Sequence, residues 1–451
     1  MSHRFIPHTE ADVRQMLDAI DVASIAALFE SIPDKHRRDG PLDLPAAASE
    51  QEVSSEIARL AAKNASLETH DWFLGAGTYA HFVPSAVDAL VSRAEFTTAY
   101  TPYQPEISQG TLQTIFEWQT MIASLTGVDV ANASLYDGAS ATAEAALMAL
   151  RITRRRKVVV STGLHPHYLQ VLETYLAGLD AQIETQPLDV SGITADATAS
   201  IDADTACILV QQPNFLGSIE DLRPFAEAAH RAGALLVTTV TEALSLALLT
   251  APGALGADIV CGEAQSFGVP MSFGGPHLGF LATRTARVRQ MPGRLVGETV
   301  DAHTRRGYVL TLSTREQHIR RERATSNICT NQGLCLTMAT IYLALMGRRG
   351  LRELAEHNLA KAEYARSRVR ETPGVELAYS APSFNEFCVR VPDTSERALE
   401  RALDADCVGG LDLTGRVRDM DQTVLVCTTE LTSREAIDRL VAALANQGVV
   451  R

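Results

Sequence analysis

The side chains best placed for chemistry cluster in a few short stretches. The longest is Asp258-Ile-Val-Cys-Gly-Glu-Ala-Gln-Ser-Phe-Gly-Val-Pro-Met-Ser-Phe-Gly-Gly-Pro276. It reads as a buried strand (Ala257 to Cys261), a polar turn and a glycine-rich loop, followed by the apolar run His277 to Ala282. An acidic residue, a strand, a polar tip and a glycine loop are how many enzymes present a lysine that forms an imine with a carbonyl. Here the tip carries Gln265, with Ser266 beside it, and an amide forms no imine.

The imine-forming cofactor that such a loop serves is pyridoxal phosphate (PLP). The chain holds four lysines, and none takes over the role. Lys35 lies in the charged loop Pro33 to Gly40, Lys63 and Lys361 fall on amphipathic helical patterns, and Lys157 opens a strand behind Arg154 to Arg156. A Schiff-base lysine needs a desolvated pocket that keeps its amine partly neutral. The expectation is that this chain alone does no PLP chemistry. His165-Pro-His167 is two potential ligands without a nearby carboxylate or cysteine, so no metal site is expected.

The elements that must position these residues follow from hydrophobic periodicity. Thr9 caps a helix carrying Val13, Met16, Leu17 and Ile20, a short helix covers about Ser24 to Ser31, and Ser49 with Glu52 forms a capping box for Val53, Ile57 and Leu60. Leu74 to Ser108, rich in Gly, Pro and aromatics, is mostly ordered loop, and Leu112 to Gly127 is a helix stopped by glycine. Strand runs follow at Val128–Leu135, Lys157–Ser161, Ala181–Gln186, Thr205–Gln211, Ala234–Thr239, Ala257–Cys261 and His277–Thr283. Helical patterns separate them, which predicts a mostly parallel α/β sheet covered on both faces. Helices at about Asn331–Leu345 and Leu351–Glu371 precede shorter strands at Val375–Tyr379, Glu386–Val391 and Val424–Thr428, a smaller α+β domain. The expected organisation is a helical arm over 1–65, a large α/β domain over 66–315 and a small domain over 316–451.

The 451 residues carry a formal charge of −14, which disfavours a nucleic-acid or anionic-membrane surface. No signal-peptide h-region or membrane-span stretch is evident. Seven cysteines lack any Cys-x-x-Cys pair, and the apolar flanks of Cys207, Cys261 and Cys427 suggest buried thiols in a reducing, cytoplasmic setting.

Four longer motifs are more specific: Tyr100-Thr-Pro-Tyr-Gln-Pro-Glu-Ile-Ser-Gln-Gly110, Ala131-Asn-Ala-Ser-Leu-Tyr-Asp-Gly-Ala-Ser140, Gly262-Glu-Ala-Gln-Ser-Phe-Gly268 and Arg321-Glu-Arg-Ala-Thr-Ser-Asn-Ile-Cys-Thr-Asn331. In them the chain closely resembles the P-protein family of the glycine cleavage system, specifically the first subunit of its split bacterial form. The resemblance implies a fold-type-I PLP-enzyme architecture in a heterotetramer of two such chains and two partner chains, glycine dehydrogenase subunit 2. The partner would supply the PLP lysine, with no cofactor bound covalently by this chain. The complex would decarboxylate glycine and pass the aminomethyl group to the lipoyl arm of the H-protein.

The same resemblance gives roles to residues. Gln265 would stand for the lost lysine, and Thr239 for the aspartate that pairs with the pyridine nitrogen. Ser140, in the loop from Asp137, would mark the phosphate turn, and His165 the group over the ring, although a capped turn and a hydrogen-bonded turn histidine explain these two as well. Tyr100, Thr101, Tyr103, Gln104 and Glu106 would line the interface or active-site channel. Ser272, Gly274 and Gly275 would cross to the partner, and Arg323 with Asn327 would join them; rigid loops and a solvated charge cluster are the competing readings. Thr330 or Asn331 is expected to cap the long helix. The competing function is a regulatory or binding homodimer with a degenerate PLP pocket.

Overall fold

The computed structural model describes residues 5–38, 40, 42–98 and 100–447. Its contacts divide it into two units, one through Asn64 and one from Ala65 onward. In the first, Thr9 and Ser49 each close a capping box, with Asp12 and Glu52, at helices Glu10–Ala19 and Glu50–Ala61. A 3₁₀ turn, Ala26–Phe29, stands where a short helix is predicted. Neither helix has a buried residue, and Ile20, Phe29 and Ile57 remain more than half exposed. Within the larger unit, 66–315 and 316–451 are retained as a proposed division.

The larger unit is built on seven strands: β1 Val130–Ala131, β2 Lys157–Ser161, β3 Gln182–Gln186, β4 Thr205–Gln211, β5 Leu235–Val240, β6 Ile259–Glu263 and β7 Gly279–Thr283. Their order across the sheet is β1, β7, β6, β5, β4, β2, β3. Strands β2 to β6 run parallel, and β7 and β1 pair antiparallel at one edge. Alternation divides each central strand between two cores. Ile208, Val210, Leu236 and Val260 enter one, under helices Gln109–Thr126 and Arg223–Ala232 and the first half of Gly333–Glu371. Cys207, Leu209, Leu235, Val237, Ile259 and Cys261 enter the other, under Gly138–Thr153 and Pro166–Leu176. The sheet and its two helical layers match the α/β fold read from the sequence.

A second, antiparallel sheet of four strands, in the order Glu376–Leu377, Glu386–Arg390, Thr423–Cys427 and Leu411–Asp412, is covered by Ser395–Asp404, Arg434–Leu444 and the end of the long helix. That helix continues through the break expected near Leu345, but Gly347 kinks it with φ 58° and ψ 179°. Its cap is Gln332, without a side-chain bond. Asn331 instead reaches back to the Ala133 carbonyl and the Ser134 hydroxyl, which corrects the expected Thr330 or Asn331 cap. The run Val128–Leu135 yields only the two residues of β1; beyond them the Ala133 N–H turns to the Arg294 carbonyl and Ser134 takes a positive φ of 81°. The hairpin Leu295–Val300 with Arg306–Thr311 was not expected. Six of the seven free cysteines are buried, Cys329 being the exposed one.

Candidate functional site

Strand β6 delivers its C-terminal residues into a buried, polar junction. Gln265 is 2% exposed, and its amide is fully engaged. Nε2 donates to the carbonyls of Tyr79 (3.1 Å) and Val269 (2.6 Å), while Oε1 accepts from the Tyr79 N–H at 2.9 Å. The side chain therefore staples the segment entering the large unit to the loop leaving β6.

Two residues earlier, the Glu263 carboxyl group gathers three backbone donors. Oε2 accepts from Gly138 at 2.9 Å, and Oε1 from Gln265 at 3.0 Å and Leu278 at 2.7 Å. The Gly138 N–H belongs to the first turn of helix Gly138–Thr153, where free N–H groups attract an anion. Gly138 must be glycine, because a Cβ there would strike the Tyr168 hydroxyl and come within 3.0 Å of the Glu263 Cβ. Burial pushes the Glu263 carboxyl up from its usual range, and the His277 ring and the donated N–H groups oppose this.

The remaining positions flagged in the sequence are also occupied by the protein itself. Asp137 caps the helix through the Ser140 N–H at 2.7 Å, so Ser140 is a first-turn residue rather than the cap. The Thr239 hydroxyl is fully buried 3.1 Å from that of Thr142, with the Cys261 thiol at 3.6 Å. His165 stacks on Tyr168 at 4.8 Å between centroids and meets Phe215 edge-on. Its Nε2 lies 3.0 Å from the Ala76 carbonyl, and its Nδ1 accepts from the His167 N–H, so the turn reading of His165 fits these contacts. Burial drives its pKa down to about 4. Among the described residues no group of three or more metal ligands forms.

Together these observations test whether PLP fits, and it does not. The tip offers a bound amide and the buried, unpartnered hydroxyl of Ser266, neither of which forms an imine. The helix N-terminus is taken by Glu263, and the strand-end position holds a neutral hydroxyl. The cleft beside His165, about 510 Å³ and lined also by Thr78, His167, Gln170 and Arg416, has no lysine in its wall. Lys157 is paired with Glu184 and Asp202. Lys361 departs from expectation, since burial lowers its pKa and its Nζ donates to the Glu430 carbonyl.

Sequence reading missed a cluster beneath this junction. The Tyr79 hydroxyl donates to Glu386 Oε2 at 2.7 Å, and the Ala76 N–H to Oε1 at 2.7 Å. His81 lies between Glu242 (3.0 Å) and Glu430 (2.8 Å). These partners are 161 to 349 residues apart in sequence, so no local spacing signals them. The space between Tyr79, Thr241, Phe384 and Glu386 is too tight to admit a water molecule, so the cluster is packed rather than a ligand pocket.

Burial, with Glu242 adding to it, raises the Glu386 pKa from 4.5 to about 7. A carboxyl whose folded pKa is raised loses stability as pH climbs from 4.5 to about 7. Glu386→Gln keeps an acceptor for Ala76 and removes the titration. It is expected to gain on the order of 1–3 kcal/mol relative to the native chain between the acidic and alkaline ends of that window, read by urea melts at both ends.

A family profile described as the glycine cleavage system P-protein matches residues 3–444. The chain belongs to the glycine cleavage system P-protein family. It is 52% identical over 446 residues to the probable glycine dehydrogenase (decarboxylating) subunit 1 of Anaeromyxobacter dehalogenans, covering 98% of this chain and 99% of that one. The protein of the same name from Desulforamulus reducens is 50% identical over 442 residues, covering 98% and 99%. A crystal structure of glycine decarboxylase (P-protein) of the glycine cleavage system, in inhibitor-bound form, superposes with a TM-score of 0.90 at 46% identity, covering 99% of this chain and 100% of that one. A sphingosine-1-phosphate lyase from Burkholderia pseudomallei, at 15% identity and a TM-score of 0.65 over 92% of this chain and 94% of that one, shares the fold.

On this family scaffold the expected interface residues are mostly exposed, unlike those of the buried junction. Tyr100 and Tyr103 are 76% and 65% exposed, and Gln104 and Glu106 are also exposed. Thr101 and the Tyr103 ring meet the Arg294 guanidinium, at 3.5 Å and 5.9 Å respectively. Ser272 and Gly274 are exposed and Gly275 half-buried, around Phe273, which is 99% exposed at a φ of 28°. Arg323 and Asn327 are exposed, and Arg323 has Glu322 at 3.9 Å.

Proposed function

We propose that this chain is subunit 1 of a two-chain glycine dehydrogenase (decarboxylating) and that the PLP-bearing lysine lies on the second subunit. The complex, two chains of each kind in the cytoplasm, decarboxylates glycine and hands the aminomethyl group to the lipoyl arm of the H-protein. This chain contributes structure rather than the imine: it is inactive alone and completes the active site at the subunit interface. The observation that carries the reading is Gln265, an amide bonded on both of its atoms at the tip where an amine is needed.

The partner-facing surface is assigned to the exposed aromatics. A side chain such as Phe273, 99% exposed on a backbone held in the left-handed region, is unfavourable in water and gains from burial against another chain. Tyr100, Tyr103 and the Phe273 loop are the proposed contacts. The exposed apolar side chains of the helical arm are assigned to the same purpose. Among the described residues no helix is long and apolar enough to cross a membrane.

The decisive measurement is exchange of labelled carbon dioxide into glycine, with PLP and H-protein supplied. The expected result is exchange when this chain is mixed with subunit 2 and none from either alone. Exchange by this chain alone would place the lysine here and overturn the reading. Exchange by subunit 2 alone, unaffected by this chain, would leave the homodimer alternative standing.

A further inference from the structure

We infer that the Glu263 carboxyl group is a built-in substitute for a bound anion, filling the N-terminus of helix Gly138–Thr153 so that this chain folds without a phosphate-bearing cofactor. The inference rests on geometry. Three backbone N–H groups from three different segments converge on one side chain: Gly138 from the helix, Gln265 from the loop after β6, and Leu278 from the run into β7. Such convergence is how a protein cradles a phosphate or carboxylate that it does not itself contain. Here the acceptor arrives covalently on β6, is 2% exposed, and already takes all three N–H groups.

The surroundings are shaped to it. Gly138 lets the helix start approach the Glu263 Cβ, and the Gly279 Cα faces the Asp137 backbone so closely that a Cβ there would overlap the Asp137 carbonyl. The adjacent amide of Gln265 both donates its backbone N–H to Glu263 and closes Tyr79 over the tip. Restoring the lysine alone therefore leaves the phosphate end of the pocket blocked. The loss of cofactor is written in two residues: Gln265 stands where the imine lysine is needed, and Glu263 holds the anion position so that the fold stays intact without the cofactor.

The experiment uses the full chain. Glu263→Ala removes the carboxyl group and leaves the three N–H donors around a carboxylate-sized space. Its thermal midpoint is measured against the native chain in rising sodium formate, rising inorganic phosphate, and sodium chloride at the same ionic strength. The expected result is a lower midpoint for the variant and a dose-dependent recovery in formate or phosphate that exceeds both its own response to chloride and the response of the native chain. If the variant folds only when formate or phosphate is present, that also supports the inference. A folded variant that responds to these ions as the native chain does would overturn it, as would a variant that no anion restores.

Gln265→Lys supplies an independent arm. With PLP added and borohydride used to trap any imine, labelling at position 265 is expected to stay at the background of the native chain's own lysines. Stoichiometric labelling at that position would show the phosphate end open and sink the inference. Neither arm uses glycine exchange, so failure here is distinguishable from failure of the assignment to the two-chain enzyme.

Discussion

Replacing His81 with alanine is expected to destabilise the larger unit by about 3–5 kcal/mol, the range for removing one partner from a buried ion pair. The imidazole side chain is 2% exposed, with Nε2 3.0 Å from Glu242 and Nδ1 2.8 Å from Glu430. Burial alone would lower its pKa, but the two carboxylates outweigh burial and raise it from 6.5 to about 10. Burial raises Glu430 too, and His81 with the Phe82 N–H overrides that and brings it from 4.5 to about 2. The signs then follow. The histidine contribution is complete below pH 6.5 and is lost as pH rises toward about 10. The Glu430 contribution is complete above pH 4.5 and is lost as pH falls toward about 2. In the variant, two carboxylates face one gap with only Asn358, Asn385 and backbone N–H groups left as donors. Urea unfolding across both windows checks this. A loss below ~1 kcal/mol, the level of an exposed pair, would refute the buried-pair account. Because Glu242 follows β5 while Glu430 follows the second sheet, His81 helps tie the two layers at the base of the junction, beside the direct bond from Asn385 to Glu242.

The fold was legible because its strands carry their signal locally. Runs such as Ala206 to Val210 are apolar at every position, which only a sheet covered on both faces requires, and β4 is buried along its whole length. The capping boxes at Thr9 and Ser49 were equally readable, since cap and acceptor lie three residues apart. The hairpin at Leu295 was not readable: it carries Gly297, Glu298 and Thr299 in one strand and Arg306 and Gly307 at the start of the other, so apolar alternation is weak. Asn331 has the composition of a cap, but its amide serves Ala133 and Ser134 nearly two hundred residues earlier.

The site divides in the same manner. Gln265 was visible as the wrong residue at a strand tip, because its meaning is chemical and needs no partner. What occupies the junction instead was invisible. Glu263 stood in the same motif, yet nothing in the sequence says that its carboxyl group meets Gly138, which is 125 residues away. His81 drew no notice because a single histidine in a loop is ordinary until two distant glutamates converge on it.

Gly262→Ala is expected to cost about 3 kcal/mol or more, the upper range for overpacking a core. Glycine normally weakens a strand interior, so one in β6 calls for a close approach by another backbone. That approach comes from β5. A Cβ on Gly262 would overlap the Val240 carbonyl oxygen and lie 2.8 and 2.9 Å from the Val240 carbon and nitrogen. None of these is a side-chain end able to swing aside. Relief requires parting β5 from β6, where Val240 and Gly262 are in register. Moving β6 also carries Glu263 away from the N–H groups of Gly138 and Leu278, so the lesion reaches the junction without removing any polar atom. Gly110→Ala is the matched control, since a Cβ there meets nothing within 4 Å and lies inside helix Gln109–Thr126. It is expected to leave stability unchanged or raise it by up to ~1 kcal/mol. Thermal or urea melts of the two variants separate the effects. An innocuous Gly262→Ala would mean that β5 and β6 yield at their ends. Formate is expected to do nothing for Gly262→Ala, because its fault is a displaced strand and not a missing acceptor, which distinguishes it from loss of the Glu263 carboxyl group.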